Sequence, residues 1–459
     1  MLFSGIPFLF YFFPAVIILY LITPRVLKNA TLLLCSLFFY GWGEPRLVPL
    51  MLVAILCAYL FGLLIEKFAG TLWSRIFLAL SVTVSIGMLG YFKYVDFFIE
   101  SFNAATGLGL PFLNVALPIG ISFYTFQAMS YTIDVYRGDT TAQKNPVTLA
   151  TYVALFPQLI AGPIVRYSDV AEQLSSRTHT VEKTAEGVRR FMLGLGKKVL
   201  IANVLGEFCE AFRATQQPSV VFTWVYGIAF ALQIYFDFSG YSDMAIGLGK
   251  FFGFTFMENF NYPFVSKSIS EFWRRWHISL GSWFRDYVYI PLGGSRVSSF
   301  RWVFNFFVVW MLTGLWHGAA WNFVLWGLYF AVMLAVERLL LAKILPKLGW
   351  TSHLYTLFFI LISFVIFDSP TLSAAAENIS RLFGGAPLMT AETAYWLKNY
   401  GVVLILAAVG ATPLVKTLTK RLPDSVIAVA EPVVLTALLL LSTAYLVDGS
   451  FNPFLYFRF

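Results

Sequence analysis

The chain has 459 residues, of which 59% are hydrophobic, 18% aromatic and only 12% charged. Soluble globular proteins carry about 25% charged residues, so the composition excludes a soluble enzyme and describes a polytopic membrane protein. The net charge of +8 is the Lys and Arg surplus of cytoplasmic loops rather than a nucleic-acid footprint, because no basic module stands outside the apolar runs.

A hydrocarbon core of ~30 Å takes ~20 apolar residues per helix. The N-terminal MLFSGIPFLFYFFPAVIILYLITP has neither a basic n-region nor a small-residue cleavage site, so it reads as a retained helix. Spans are expected over 8–22, 30–40, 47–65 and 76–98, with Lys93 near the end of the fourth, where its stem can snorkel. Residues 115–165 are apolar but interrupted by Pro118, Gly120, Gln127, Ser130, Asp134, Pro157, Gly162 and Pro163. Backbone breaks at membrane depth occur where protein or a water-filled cavity satisfies the freed groups, which predicts short or re-entrant helices lining a funnel. Residues 168–215 place Lys183, Arg189, Arg190, Lys197 and Lys198 among apolar positions at helical spacing. That pattern predicts an interfacial helix with its basic face outward.

A further span over 220–238 ends in the polar cluster YFDFSGYSDM, with turns expected at Gly240 and at Asn261-Tyr262-Pro263. The next stretch, 270–322, opens SEFWRRWHISLGSWFRDYVYIPLGG and ends LTGLWHGAAWN. Its aromatics and arginines fit short interfacial helices followed by a span over 300–316. Later spans are 324–341, 354–367, 400–414 and 426–447, with a Ser/Thr-rich loop over 370–398. The count is about eleven spans of bilayer length. We treat residues 1–459 as one membrane domain: N-terminal helices 1–110, a catalytic core 111–345, and C-terminal helices with an aromatic tail 346–459. Cys35, Cys57 and Cys209 are far apart and form no metal or disulfide spacing.

Two of the four histidines, His277 and His317, lie in the 270–322 stretch, each after a tryptophan. An ionisable group in a span costs ~2.5–3.5 kcal/mol when charged, so an intramembrane histidine is a functional candidate by default. Against this stands a buried structural histidine bonded to a carbonyl. An imidazole titrating near neutrality can take a proton from a hydroxyl or thiol attacking an acyl group. Gly314 and Gly318 would let a substrate approach the backbone. Arg274, Arg275 and Arg285 can hold a phosphate or carboxylate, or can form a headgroup-facing rim, and Asp286 can pair with one of them. Asp237 and Asp243 can orient a histidine, balance arginines or cap helices. No GxSxG, HExxH or P-loop occurs.

Five blocks occur in order: LPIGISFYTFQAMSYTIDVYRG, FPQLIAGPIVRYSD, YFDFSGYSDMAIGLGKFFGF, ENFNYPFVSKSISEFWRRWHISLGSWFRDYVYIPLGGSR and LTGLWHGAAWNFVLWGLY. Together they resemble membrane-bound O-acyltransferases, in particular the alginate O-acetyltransferase branch of bacterial envelope-polymer acetylases. The resemblance implies an all-α ring of transmembrane helices with re-entrant and interfacial helices around a central funnel. It implies that His317 is catalytic, with His277 as the second polar position. Arg274, Arg275, Trp316, Asn322 and Asp237 are the substrate-binding candidates. The implied donor is a cytoplasmic acyl thioester such as acetyl-CoA, with no bound cofactor and no metal. The implied partner is an extracytoplasmic serine-esterase-like (SGNH) acetyltransferase, and the implied location is the bacterial inner membrane. The tail FNPFLYFRF resembles the aromatic motif of a small partner in teichoic-acid D-alanylation, which makes Tyr456 a candidate acyl relay; an interfacial aromatic anchor is the alternative. D-alanyl or other acyl transfer, a donor transporter and a recruiting scaffold are the competing readings.

Overall fold

The computed structural model describes residues 1–160, 162–449 and 455. Among these there is no strand; the chain is a succession of helices joined by short connections. Six helices are long and apolar enough to cross a membrane: Pro45–Lys67, Leu72–Thr106, Val220–Phe251, Trp321–Leu341, Thr351–Asp368 and Asp424–Asp448. Each remaining expected span also falls on a helix: Phe8–Ile22 is shorter, Lys28–Gly43 has 16 residues, and Ser299–His317 and Ala391–Gly410 are long enough but less apolar. A helix satisfies its own backbone in hydrocarbon, which is why apolar runs of this length settle as helices. The protein is therefore an all-α, multi-pass membrane protein.

The chain forms two compact units. The first holds Met1–Phe191 and Met244–Met257, the second Met192–Asp243 and Glu258–Phe459. In the first unit Ile121–Arg137 is one unbroken helix with nearly every residue buried. The expected breaks at Gln127, Ser130 and Asp134 are absent, and the Ser130 and Asp134 side chains find partners. Ser130 donates to the Gln127 carbonyl (3.0 Å) and Ser168 donates to Asp134 (3.3 Å). Short helices appear only afterwards, at Pro146–Ala154 and Phe156–Leu159. Asn145 caps the former by accepting from the Val147 and Thr148 amides. Lys93 is half-buried and its ammonium reaches the Ser122 hydroxyl at 3.4 Å.

The second unit corrects three expectations. Gly240 makes no turn, since Val220–Phe251 runs straight through the polar cluster as 32 helical residues. A Cβ at Gly240 would lie 2.8 Å from the Gly194 carbonyl and 3.1 Å from the Lys198 amide, so glycine there lets two helix backbones meet. Lys197 and Lys198 do not face outward. They turn inward onto Asp243 and Asp237, each at 2.7 Å. The 370–398 stretch is not a loop: Thr371 and Thr390 cap helices Leu372–Phe383 and Ala391–Gly410 through their hydroxyls. Hydroxyl side chains that read as loop composition are serving as N-caps.

Candidate active site

The 270–322 stretch builds the site within the second unit. Ile269–Arg275 and Ile278–Phe284 are two short helices. His277 sits between them at φ 45° and ψ 52°, in the left-handed region, where a non-glycine residue is strained. Such a conformation costs about 1–3 kcal/mol and persists where the surroundings over-determine it. Two devices do so here. Glu337, buried on Trp321–Leu341, accepts from the amides of Ile269 and Ser270 (2.6 and 2.9 Å) and from the Ser270 hydroxyl (2.7 Å). This carboxylate caps the first short helix and ties it to a span, which explains an acid within an apolar segment. On the other side of the bend, the Asn259 carbonyl accepts from the Ile278 amide at 3.0 Å.

His317 arrives from a different direction. It is the last residue of Ser299–His317, and extended Gly318 turns the chain toward Trp321–Val336. These two helices meet backbone to backbone. A Cβ on Gly314 would lie 2.2 Å from the Phe323 carbonyl, and one on Gly327 would lie 2.2 Å from the Trp310 carbonyl. The space beside Gly318 holds the Phe323 ring, 2.2 Å from where a Cβ would stand. The two glycines of the LTGLWHG segment therefore admit a neighbouring helix rather than a substrate.

The two imidazole centroids come within 6.5 Å of each other, crossing at 67°. His277 is 1% exposed and His317 7%. Trp316 (5.2 Å), Trp326 (5.1 Å) and Phe367 (5.6 Å) all stand edge-to-face with His317. Around His277 lie Phe238 at 4.7 Å and Trp316 at 5.7 Å. Burial, first, and then the facing His317 hold the His277 imidazole well below its usual pKa, so it is neutral at physiological pH. Its Nδ1 is 3.2 Å from the Asn259 Oδ1, while its Nε2 has no hydrogen-bond partner among the described residues.

The other candidates separate. Trp316 lines the histidine pair, as just described. Asn322 is buried and donates to the carbonyls of Phe367 (3.4 Å) and Ser369 (3.1 Å), linking the start of one span to the end of another. Arg275 is held by Glu271 at 2.8 Å and donates to the Asn261 carbonyl at 3.2 Å, whereas Arg274 is exposed. Arg285 pairs with Asp286 at 2.6 Å. Asp237 is engaged twice, by Lys198 and by the Leu455 amide at 2.9 Å. Tyr456 lies outside the described residues. The sequence reading missed Asn259, Glu337 and the inward role of Lys198. The available signal was a polar residue with an aromatic or aliphatic neighbour on one side, which does not name its partner.

The family model for the membrane-bound O-acyltransferase family matches residues 34–368, which include both histidines and Asn259. A probable alginate O-acetylase of Azotobacter vinelandii is 40% identical over 503 aligned residues, covering all of both chains. One from Pseudomonas aeruginosa is 45% identical over 390 residues, 83% of this chain and 75% of its own. The peptidoglycan O-acetyltransferase of Helicobacter pylori is 34% identical across 84% of this chain and 80% of its own.

Proposed function

The chain belongs to the membrane-bound O-acyltransferase family, and from that premise we propose that it carries an acetyl group across the bacterial inner membrane. The donor is a cytoplasmic thioester, acetyl-CoA, and the destination is an extracytoplasmic polysaccharide of the alginate type. The observation that carries this reading is the buried histidine pair, 6.5 Å apart, at the meeting of a helix end and a strained bend. Both imidazoles are walled by aromatic rings, a low-dielectric setting in which hydrogen bonds to a reacting group are strong.

In the proposed step, His317 takes the proton of an attacking hydroxyl as its oxygen bonds to the thioester carbonyl carbon. The C–S bond breaks, and the proton returns to the departing thiolate. Such base catalysis is worth about 10²–10⁴ in rate. A funnel from each face lets donor and acceptor meet at the pair without the donor crossing the bilayer. Arg274, Arg275, Trp316, Asn322 and Asp237 are assigned to the substrate side of this reading, Asn322 and Asp237 acting through the backbone they hold. Tyr456 is the proposed relay, its phenol accepting the acetyl group before an SGNH-type partner receives it. Leu455, the residue before Tyr456, is buried and donates its amide hydrogen bond to Asp237.

The test is base-labile acetate on exported polysaccharide from cells carrying His317→Ala, His277→Ala or Tyr456→Phe, each shown to be folded and membrane-inserted. Loss of acetate in the histidine variants is expected. Normal acetylation with His317→Ala would sink the acyl-transfer role, and normal acetylation with Tyr456→Phe would leave the tail as an anchor.

A further inference from the structure

Asn259 lies in the ENFNYPF block without being a candidate site residue, yet its side chain is the polar hub beneath His277. It is 1% exposed. Its Oδ1 is 3.2 Å from the Ser279 amide, 2.9 Å from the Ser279 hydroxyl and 3.2 Å from His277 Nδ1. A backbone amide can only donate, so the Asn259 atom at the centre is the acceptor oxygen. A bare Nδ1 there would set lone pair against lone pair. Nδ1 therefore carries the hydrogen and donates to Asn259, and the tautomer is set by that bond. The lone pair is left on Nε2.

That Nε2 is buried and meets no donor among the described residues. The rings around it belong to Phe238, Phe260, Trp316 and His317. A buried acceptor without a donor costs about 1–3 kcal/mol. The Asn259 Nδ2 is likewise buried with no partner among the described residues.

We propose that Asn259 is a positioning residue that locks His277 in the Nδ1–H tautomer, so that Nε2 is presented as a hydrogen-bond acceptor to substrate at the histidine pair, beside the base His317. The proposal rests on the acyl-transfer reading for its purpose, but its physical content, the tautomer, does not depend on that reading. Asn259 touches neither the donor nor the acceptor in this role and acts through the imidazole. No bond is made or broken by Asn259 or His277; the substrate proton goes to His317 and is returned to the leaving group.

The test combines spectroscopy with activity on the full chain. With ¹⁵N-histidine incorporated and the protein in lipid nanodiscs, His277→Gln assigns the His277 resonances by their disappearance. The wild-type protein should show the neutral Nδ1–H form. Asn259→Leu should shift His277 to the Nε2–H form or a mixture, and base-labile polymer acetate in cells should fall by about 10²-fold, the cost of misplacing a group at the reacting centre by about 1 Å. Asn259→Asp keeps an acceptor oxygen in the same place and should restore the Nδ1–H form. It should also move the acid limb of the activity profile to higher pH, because a carboxylate raises the imidazole pKa. An Nε2–H tautomer in the wild type, or an Asn259→Leu protein with unchanged tautomer, would overturn the proposal. So would full acetylation by Asn259→Leu. Full acetylation by His317→Ala alongside the expected tautomer would instead overturn the acyl-transfer reading and leave the tautomer lock standing.

Discussion

Two pairs of polar side chains lie buried in the second unit, and they are finished differently. Lys198 and Asp237 close on each other at 2.7 Å, and the remaining capacity is taken by Asn203 on one side and the Leu455 amide on the other. His277 and His317 face each other across aromatic walls, and His277 keeps an open Nε2. Both pairs begin as the same sequence signal, an ionisable residue in an apolar surround. The difference sets a closed tie against the proposed site: the Lys198 and Asp237 charges compensate each other, and His277 keeps an acceptor atom without a partner among the described residues. A closed pair is expected to govern stability and an open pair activity.

The comparison can be broken in four places. The largest effect belongs to the open pair: His317→Ala should lower polymer acetylation by about 10²–10⁴ while leaving the melting temperature of the purified protein close to wild type. Large unfolding in that variant would make the pair structural after all. Next, Lys198→Met strands Asp237 in the interior and should cost about 3–5 kcal/mol, read as a drop in thermal stability; the added change Asp237→Leu should recover most of it. A lysine variant of wild-type stability that loses only activity would reverse the assignment. Third, Gly314→Ala forces the two helices at the His317 end apart, because the new Cβ meets the Phe323 carbonyl. Overpacking of this kind costs about 1–3 kcal/mol, and acetylation should fall with it as His317 is displaced. Smallest, Arg274→Ala on the exposed face should change stability by less than about 0.5 kcal/mol. Unchanged acetylation in that variant would remove Arg274 from the substrate-binding set.

The sequence reading succeeded or failed element by element for identifiable reasons. Spans such as Pro45–Lys67 and Asp424–Asp448 were legible because twenty apolar residues in hydrocarbon have one inexpensive backbone solution. The short helices around His277 were legible from the density of arginines and aromatics. The continuity of Ile121–Arg137 and of Val220–Phe251 was not, because polar residues and glycine read locally as breaks. Whether Ser130 or Gly240 breaks a helix depends on what packs against it: a carbonyl one turn away satisfies the serine, and a crossing helix needs the glycine. The direction of Lys197 and Lys198 failed for the same reason, since helical spacing places them on a face but does not say which carboxylates that face meets.

By itself the sequence determined that this protein is an all-helical membrane protein, and it named His277 and His317 as candidates. Those conclusions follow from local hydrophobicity and from the cost of polar groups in lipid, both properties of a segment alone. Only the tertiary structure decided that the histidines meet, that Asp237 serves a lysine, that Glu337 caps the helix before His277, and that Asn259 fixes one imidazole. Each of these is a contact between residues tens of positions apart, and its energy exists only once packing has brought the partners within hydrogen-bond range.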